Sequence, residues 1–337
     1  MKPYLRSGVL ALMVAVISAS SGAYLYWRWC VQPLPIGARA VDVEIAPGES
    51  LRHVAEVFAA KGVLTHAWDL VAYGRLHKAA AGLRAGEYRI EPGTTVAGLL
   101  TLLRSGKVVL HGLTLVEGWN LQETLAAVDG DPDIKHTLKG VKGRMLAQQL
   151  GLDTASAEGM LLPDTYQFPR GTTDLAFLHR ASLAAQQYLA AAWQARAAGL
   201  PYKTPYEALI MASIVEKETA QPAERGEIAG VFVRRLEKGM KLQTDPTVIY
   251  GLGDSYNGDI TYKDLRTDTP YNTYTRFGLP PTPICMPGRA SMDAALHPTP
   301  GNALYFVARG DGTHEFSATL VQQNAAVQKY QIKHKQP

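Results

Sequence analysis

From Ser7 to Trp27 the chain carries no charged residue. A run of that length can cross a bilayer core as a helix, so it is withdrawn from the core of any water-soluble domain. Lys2 and Arg6 precede it, and Tyr24, Tyr26, Trp27 and Trp29 crowd its far end like an interfacial aromatic belt. Basic residues before a span favour a cytoplasmic N-terminus and leave about 300 residues on the other side. The segment therefore reads as a cytoplasmic N-terminus over 1–6, a transmembrane anchor over 7–27 and a linker over 28–40. The rival reading is a cleaved signal peptide, since the small residues from Ser18 to Ala23 offer a cleavage site. Arg28 and Trp29 next to Cys30 speak against lipid attachment at that cysteine.

The remaining length suits one large or two moderate domains. A hydrophobic content of 47% is enough for a core and excludes a disordered stalk. The only two cysteines, Cys30 and Cys285, lie far apart, which argues against a structural disulfide, and no zinc-ligand spacing occurs. A net charge of +4 is mild and scattered, so it gives no argument for nucleic acid. It suits an anionic polymer or a membrane surface, though weakly.

A short motif recurs. Ile45-Ala-Pro-Gly-Glu-Ser-Leu51 returns as Ile90-Glu-Pro-Gly-Thr-Thr-Val96, and more loosely as Leu115-Val-Glu-Gly-Trp-Asn-Leu121. Each copy predicts a strand, a turn at the glycine, and a helix capped by Ser50, Thr95 or Asn120. Val54, Val57 and Phe58 line one face of the first helix, and Leu99, Leu102 and Leu103 line the second. Such strand-helix units resemble LysM modules, which bind N-acetylglucosamine polymers; the alternative is that they only pack and position. Leu161 to Arg170, broken by two prolines, reads as a loop. Asp174 is expected to cap a long, alanine-rich helix from Leu175 to about Ala198.

Chemistry concentrates further on. Thr204, Pro205 and Glu207 predict an N-cap, a proline at the first helical position and a capping box. The helix they open is apolar almost all round, hence buried, and it ends Val-Glu216-Lys-Glu218. At roughly 100° per residue, Glu218 shares the stripe of Met211, Ile214 and Val215, and Glu216 points about 200° away. Burial raises a carboxyl pKa toward neutrality, which makes Glu218 the candidate acid. The plain alternative is two solvated glutamates at a helix end.

Gly226 to Lys238 predicts an amphipathic helix, with Arg234 and Arg235 as its solvated flank. Gln243, Thr244 and Asp245 precede Pro246 and are expected in extended or turn geometry, next to a β-prone run at Val248 to Tyr250. Tyr271-Asn272-Thr-Tyr274 runs into Gly278-Leu-Pro-Pro-Thr-Pro283, a stiff wall on which a sugar could stack and find an amide. No His-Glu-x-x-His, P-loop, dinucleotide-binding glycine pattern or Gly-x-Ser-x-Gly elbow occurs. The nine histidines show no metal-ligand spacing, and His297 and His314 read as structural.

Taken together, Ala212 to Thr219, Leu242 to Tyr250, Tyr271 to Tyr274 and Gly278 to Pro281 resemble the endolytic murein transglycosylases, the YceG-like family. Leu162-Pro-Asp-Thr-Tyr166, Ala295-Leu-His-Pro298 and Tyr305-Phe-Val307 extend the likeness over nearly everything after the anchor. The resemblance implies an α+β protein with a LysM-like subdomain over 41–110 and a YceG-like catalytic domain over 111–337. It implies a single-pass protein of the cell inner membrane with its bulk in the periplasm. It further implies cleavage between N-acetylmuramic acid and N-acetylglucosamine in nascent peptidoglycan, leaving a 1,6-anhydro muramyl end and ending glycan elongation. The family's catalytic glutamate carries over to Glu218. Cys285-Met-Pro-Gly288 departs from the smaller or amide residue expected before that Pro-Gly, which bears on the shape of the loop.

Chemistry agrees with this. Glycoside hydrolysis normally takes two carboxylates, whereas a muramyl C6 hydroxyl already in the substrate attacks at high effective concentration and needs one. The expected site is Glu218 as acid and base, with Gln243, Asp245, Tyr271, Asn272 and Tyr274 orienting the glycan and no metal or cofactor. Peptidoglycan is the expected partner, with cell-wall synthases (penicillin-binding proteins) as further contacts. A hydrolytic muramidase pairing Glu218 with Asp245, or a glycan-binding scaffold for synthases, are the alternatives.

Overall fold

The recurring motif builds the same backbone three times. Glu49 N–H donates to Ala46 C=O, Thr94 N–H to Glu91 C=O and Trp119 N–H to Val116 C=O. Gly48, Gly93 and Gly118 take φ of +84°, +85° and +79°. A turn closed this way needs a positive φ at its third residue, and glycine takes it without steric cost. The computed structural model describes residues 3–79, 81–141 and 143–332. They divide into two compact units, Met1–His111 with Pro169–Gly171, and Gly112–Phe168 with Thr172–Pro337.

The first unit begins with helix α1 (Pro3–Val31). The uncharged run falls inside it, and Leu12, Val14, Ile17 and Leu25 are exposed. Among the described residues no helix is long and apolar enough to cross a membrane. Lys2, one of the two basic residues before the run, lies outside the described residues, as do Met1 and 333–337. Strand β1 (Val41–Ile45), helices α2 (Leu51–Ala60) and α3 (Ala67–Leu76), strand β2 (Gly86–Ile90) and helix α4 (Val96–Ser105) come next. β1 and β2 pair antiparallel, Val41 opposite Ile90. Alternate residues Val43, Ile45, Tyr88 and Ile90 turn inward onto Phe58, Leu70, Leu99 and Leu103. Ser50 and Thr95 accept from His53 N–H and Gly98 N–H, the caps the motif predicts.

The second unit takes in β3 (Leu110–Thr114) from Gly112 on, α5 (Leu121–Asp129), β4 (Ile134–Lys135), α6 (Gly143–Gln149), β5 (Thr165–Pro169) up to Phe168, β6 (Thr172–Thr173) and α7 (Asp174–Gln194). Then come α8 (Pro205–Glu218), α9 (Arg225–Glu237), α10 (Asp245–Leu252), α11 (Tyr262–Arg266), α12 (Arg289–Leu296), the β7 (Tyr305–Ala308) and β8 (His314–Ser317) hairpin, and α13 (Leu320–Val327). The class is α+β, helices with small two-stranded sheets. α8 is the central rod. Every residue from Ala208 to Val215 is buried, against α7, α9, α10 and α12.

Three expectations about elements change. Thr165–Pro169 is a strand rather than loop, paired with β3, because Pro163 lies before it and Pro169 is its last residue, so neither proline interrupts its interior. The long helix begins at Asp174, with Thr173 as its cap, and stops at Gln194. The β-prone run at Val248–Tyr250 is helical within α10, since Pro246 in the first turn starts a helix there.

Candidate active site

Glu218 is the last residue of α8, with Thr219 as the C-cap. Thr204 caps the start as expected, but the Glu207 carboxylate reaches Lys203 N–H at 2.5 Å rather than closing a capping box. α8 is held in register by Ser213, whose hydroxyl donates to Ile210 C=O at 2.7 Å and accepts from Ile284 N–H at 3.0 Å. Cys285 Sγ–H donates to Ser213 C=O at 3.3 Å. Met286 exchanges backbone bonds with the third turn, Met286 N–H to Trp119 C=O and Gly118 N–H to Met286 C=O. The Cys285-Met-Pro-Gly288 segment is thus fully buried and stitched to both α8 and that turn.

The two glutamates at the helix end part company as their angular separation requires. Glu216 accepts from Gly288 N–H at 3.0 Å and pairs with Arg225 at 3.6 Å. These contacts tie it to the α12 entry and to α9. Burial pushes the Glu218 carboxyl up to about 7, opposed by a hydrogen bond from Thr244 and reinforced by the nearby Asp245 charge; His314 and Arg235 pull it down. The carbonyl end of α8 adds to the bias against a negative charge. At neutral pH both protonation states of Glu218 are populated.

Thr244 Oγ1 donates to Glu218 Oε1. Asp245, exposed at the first turn of α10, accepts from the Tyr274 hydroxyl at 2.5 Å. Burial and the Asp245 contact raise the Tyr274 phenol, so it stays a donor. Gln243 is exposed beside Thr244 with a left-handed φ of +51°, and its N–H donates to Thr273 C=O at 3.2 Å. Arg235 is 8% exposed. Its guanidinium donates to Leu304 C=O at 2.7 Å and Leu242 C=O at 2.6 Å and lies 5.1 Å from the Tyr305 ring. A buried cation so tethered lends Glu218 a fixed positive field. His314 is held by Glu224, Nδ1 to Oε2 at 2.7 Å.

Of the residues singled out in the sequence, Glu218, Asp245 and Tyr274 converge, with Gln243 alongside. Asn272 does not join them. It is 1% exposed, and its Nδ2 donates to Asp264, Leu265 and Thr267 carbonyls at 3.1, 3.2 and 2.7 Å. Its Oδ1 accepts from Tyr274 N–H at 2.9 Å. The amide is engaged in folding the loop, while the residue also borders the pocket beside the proline-rich wall. Tyr271 turns elsewhere, bonding Thr282 at 2.8 Å and packing on Tyr250 with ring centroids 4.8 Å apart. The proline-rich wall does border a pocket, lined by Thr273, Phe277, Leu279 and Pro281 among others, but neither Tyr271 nor Tyr274 lines it.

Residues 43–329 match the model of the YceG-like family. The chain belongs to this family. Among relatives, it is 31% identical to the endolytic murein transglycosylase of Bacillus subtilis (strain 168), covering 92% of this chain and 90% of that one. The endolytic murein transglycosylase of Streptococcus pneumoniae D39 is 27% identical over 90% of this chain, which spans 61% of its length. Among solved structures, a yceG-like protein from Listeria monocytogenes superposes with a TM-score of 0.54 at 30% identity, covering 86% of this chain and 99% of that one.

Two members of this neighbourhood, and one buried glutamate elsewhere in the unit, carry little signal in the sequence. Arg235 reads as a solvated flank, because its last-turn position hides that β7 covers it. Thr244 reads only as part of a polar run. Glu158, buried and with its carboxyl raised to about 7 by desolvation, accepts from Leu121 N–H and from Tyr250 OH at 2.9 Å. A lone glutamate in a Gly/Ser loop gives no hint of such a place. Elsewhere in this unit Asp129, His136 and Asp174 lie close. There both Asp174 oxygens are taken up by Thr137, Leu138 and Leu175 donors.

Proposed function

We propose that the chain is a lytic transglycosylase that cuts nascent peptidoglycan strands between N-acetylmuramic acid and N-acetylglucosamine. The observation that carries the reading is the Glu218 carboxyl, raised to about 7 at the end of a buried helix, hydrogen-bonded by Thr244 and with Asp245 and Tyr274 beside it. Protonated Glu218 gives its proton to the glycosidic oxygen as the C1–O bond breaks. The resulting carboxylate takes the proton of the muramyl C6 hydroxyl, whose oxygen closes on C1 as a 1,6-anhydro ring. Atoms balance without water, and Glu218 ends protonated for the next cycle. A pKa near the working pH serves both halves, since neither state is costly to reach. Arg235 and His314 favour the carboxylate formed between them. Asp245 and Tyr274, with Gln243 and the Tyr271 loop, orient the glycan, and no cofactor enters the scheme.

The names of the relatives support this activity. The first unit is proposed as LysM-like, supported by its paired strands packed on capped helices, with residues 41–110 as that subdomain and 111–337 as the catalytic domain. We also read residues 7–27 as a single-pass inner-membrane anchor, N-terminus in the cytoplasm and bulk in the periplasm, supported by the uncharged run and its aromatic end. Cell-wall synthases are the proposed protein partners. The deciding experiment incubates the purified protein with uncrosslinked glycan and weighs the products. Anhydro ends are expected; reducing ends would make the protein a muramidase with Asp245 as second carboxylate, and intact glycan would leave a binding scaffold.

A further inference from the structure

Six threonines open helices in the described residues, and five behave alike. Thr95, Thr173, Thr204, Thr261 and Thr319 each accept, through the hydroxyl, the N–H three residues on, the ordinary task of an N-cap. Thr244, the cap of α10, makes no such bond. Its capping duty is discharged by its backbone carbonyl, which accepts from Thr247 N–H at 3.3 Å and from Thr247 Oγ1 at 2.7 Å. Pro246 removes a further N–H that would otherwise seek a cap.

The residue that carries the released hydroxyl is held by its backbone. Thr244 is 2% exposed, and its N–H donates to Thr273 Oγ1 at 3.1 Å. Thr273 and Thr247 hydroxyls lie 2.9 Å apart, and both residues are buried. This three-threonine lattice fixes the Thr244 backbone and hence the direction of its Cα–Cβ bond, and Oγ1 donates to Glu218 Oε1. Glu218 Oε1 thereby accepts a hydrogen bond, which favours the other oxygen, Oε2, as the one that carries the proton.

Resting on the reading of Glu218 as the acid, we infer that Thr244 is a positioning residue of this enzyme. It trades helix capping for fixing which Glu218 oxygen does the proton transfer. A hydrogen bond to the carboxylate also stabilises the charged form. The other titratable or charged groups facing Glu218 are Asp245 on α10, Arg235 on α9, Tyr274 on the following loop and His314 on β8. All of them stay in place when the threonine hydroxyl alone is removed.

The test is kcat/KM against pH for the full-length protein, with wild type, Thr244→Val, Thr244→Ser and Glu218→Gln side by side and melting temperatures on the same samples. Activity requires protonated Glu218, so the wild-type alkaline limb is expected near pH 7. Thr244→Val should move that limb upward by about one pH unit and lower the plateau by about 10- to 100-fold. Thr244→Ser should restore both. An unmoved limb in a folded Thr244→Val protein overturns the inference, whatever its rate, because a purely structural threonine would cost stability without shifting the titration. Thr244→Ala repeats the measurement where the second valine methyl crowds the carboxylate. Glu218→Gln keeping its activity would instead remove the acid assignment itself.

Discussion

At the scale of single residues, two carboxylates two positions apart meet opposite fates. Glu216 is tied to Gly288 and Arg225, whereas Glu218 ends against Thr244 with its proton available. Glu218→Gln is expected to lower turnover by at least roughly 10²–10⁴-fold, the usual contribution of a general acid, with the far-UV spectrum unchanged. Glu216→Gln should keep turnover per folded molecule and lose stability instead, measured as a lower melting temperature. Stability against pH offers an independent check. The Glu218 carboxyl is about 7 in the folded chain and near 4.3 when unfolded, so the folded state binds its proton more tightly. That contribution is complete below about pH 4.3 and is lost as pH rises through about 7. The melting temperature of Glu218→Gln relative to wild type should therefore climb between pH 5 and pH 8; a constant difference would contradict the raised value.

Among elements, the loop from Asp264 to Pro281 shows how an amide that looks like a ligand contact can be scaffold. The buried Asn272 amide shares its two N–H donors among three loop carbonyls and accepts from Tyr274 N–H, so truncating it removes several loop-closing bonds at once. Asn272→Ala should cost about 1–3 kcal/mol, seen as a melting point lower by roughly 2–12 °C. Tyr274→Phe removes only the 2.5 Å bond to Asp245. It should keep the melting point within a few degrees and lower turnover about tenfold or more. A large loss of turnover per folded molecule in Asn272→Ala would return the amide to the sugar site. The caps and turns of these elements are legible in the sequence because they are local: a Pro-Gly or Glu-Gly followed by a hydroxyl or amide specifies its own hydrogen bonds. The strand at Thr165–Pro169 and the helix at Asp245–Leu252 are not, because a short run pairs or coils according to what lies beside it.

For the whole molecule, two units have separate hydrophobic cores, and the proposed acid Glu218 belongs to the second. The anchor proposal has its own test: protease added outside spheroplasts should digest the bulk of the chain, and the protein should pellet with inner membranes. A mature form beginning near Ala23 in the soluble periplasm would refute it. From the sequence alone came the class of fold, the threefold turn-and-cap motif, the buried helix and the opposite facing of Glu216 and Glu218, all consequences of periodicity and nearest-neighbour bonding. Only the tertiary structure decided that Arg235 is covered by the β7 hairpin, that Asn272 faces its own loop, and that Thr244 turns to Glu218, 26 positions away. The physical reason is one of range. Whether a polar group is solvated, spent on a neighbour or aimed at a substrate depends on what the folded chain brings against it, and no local pattern records that.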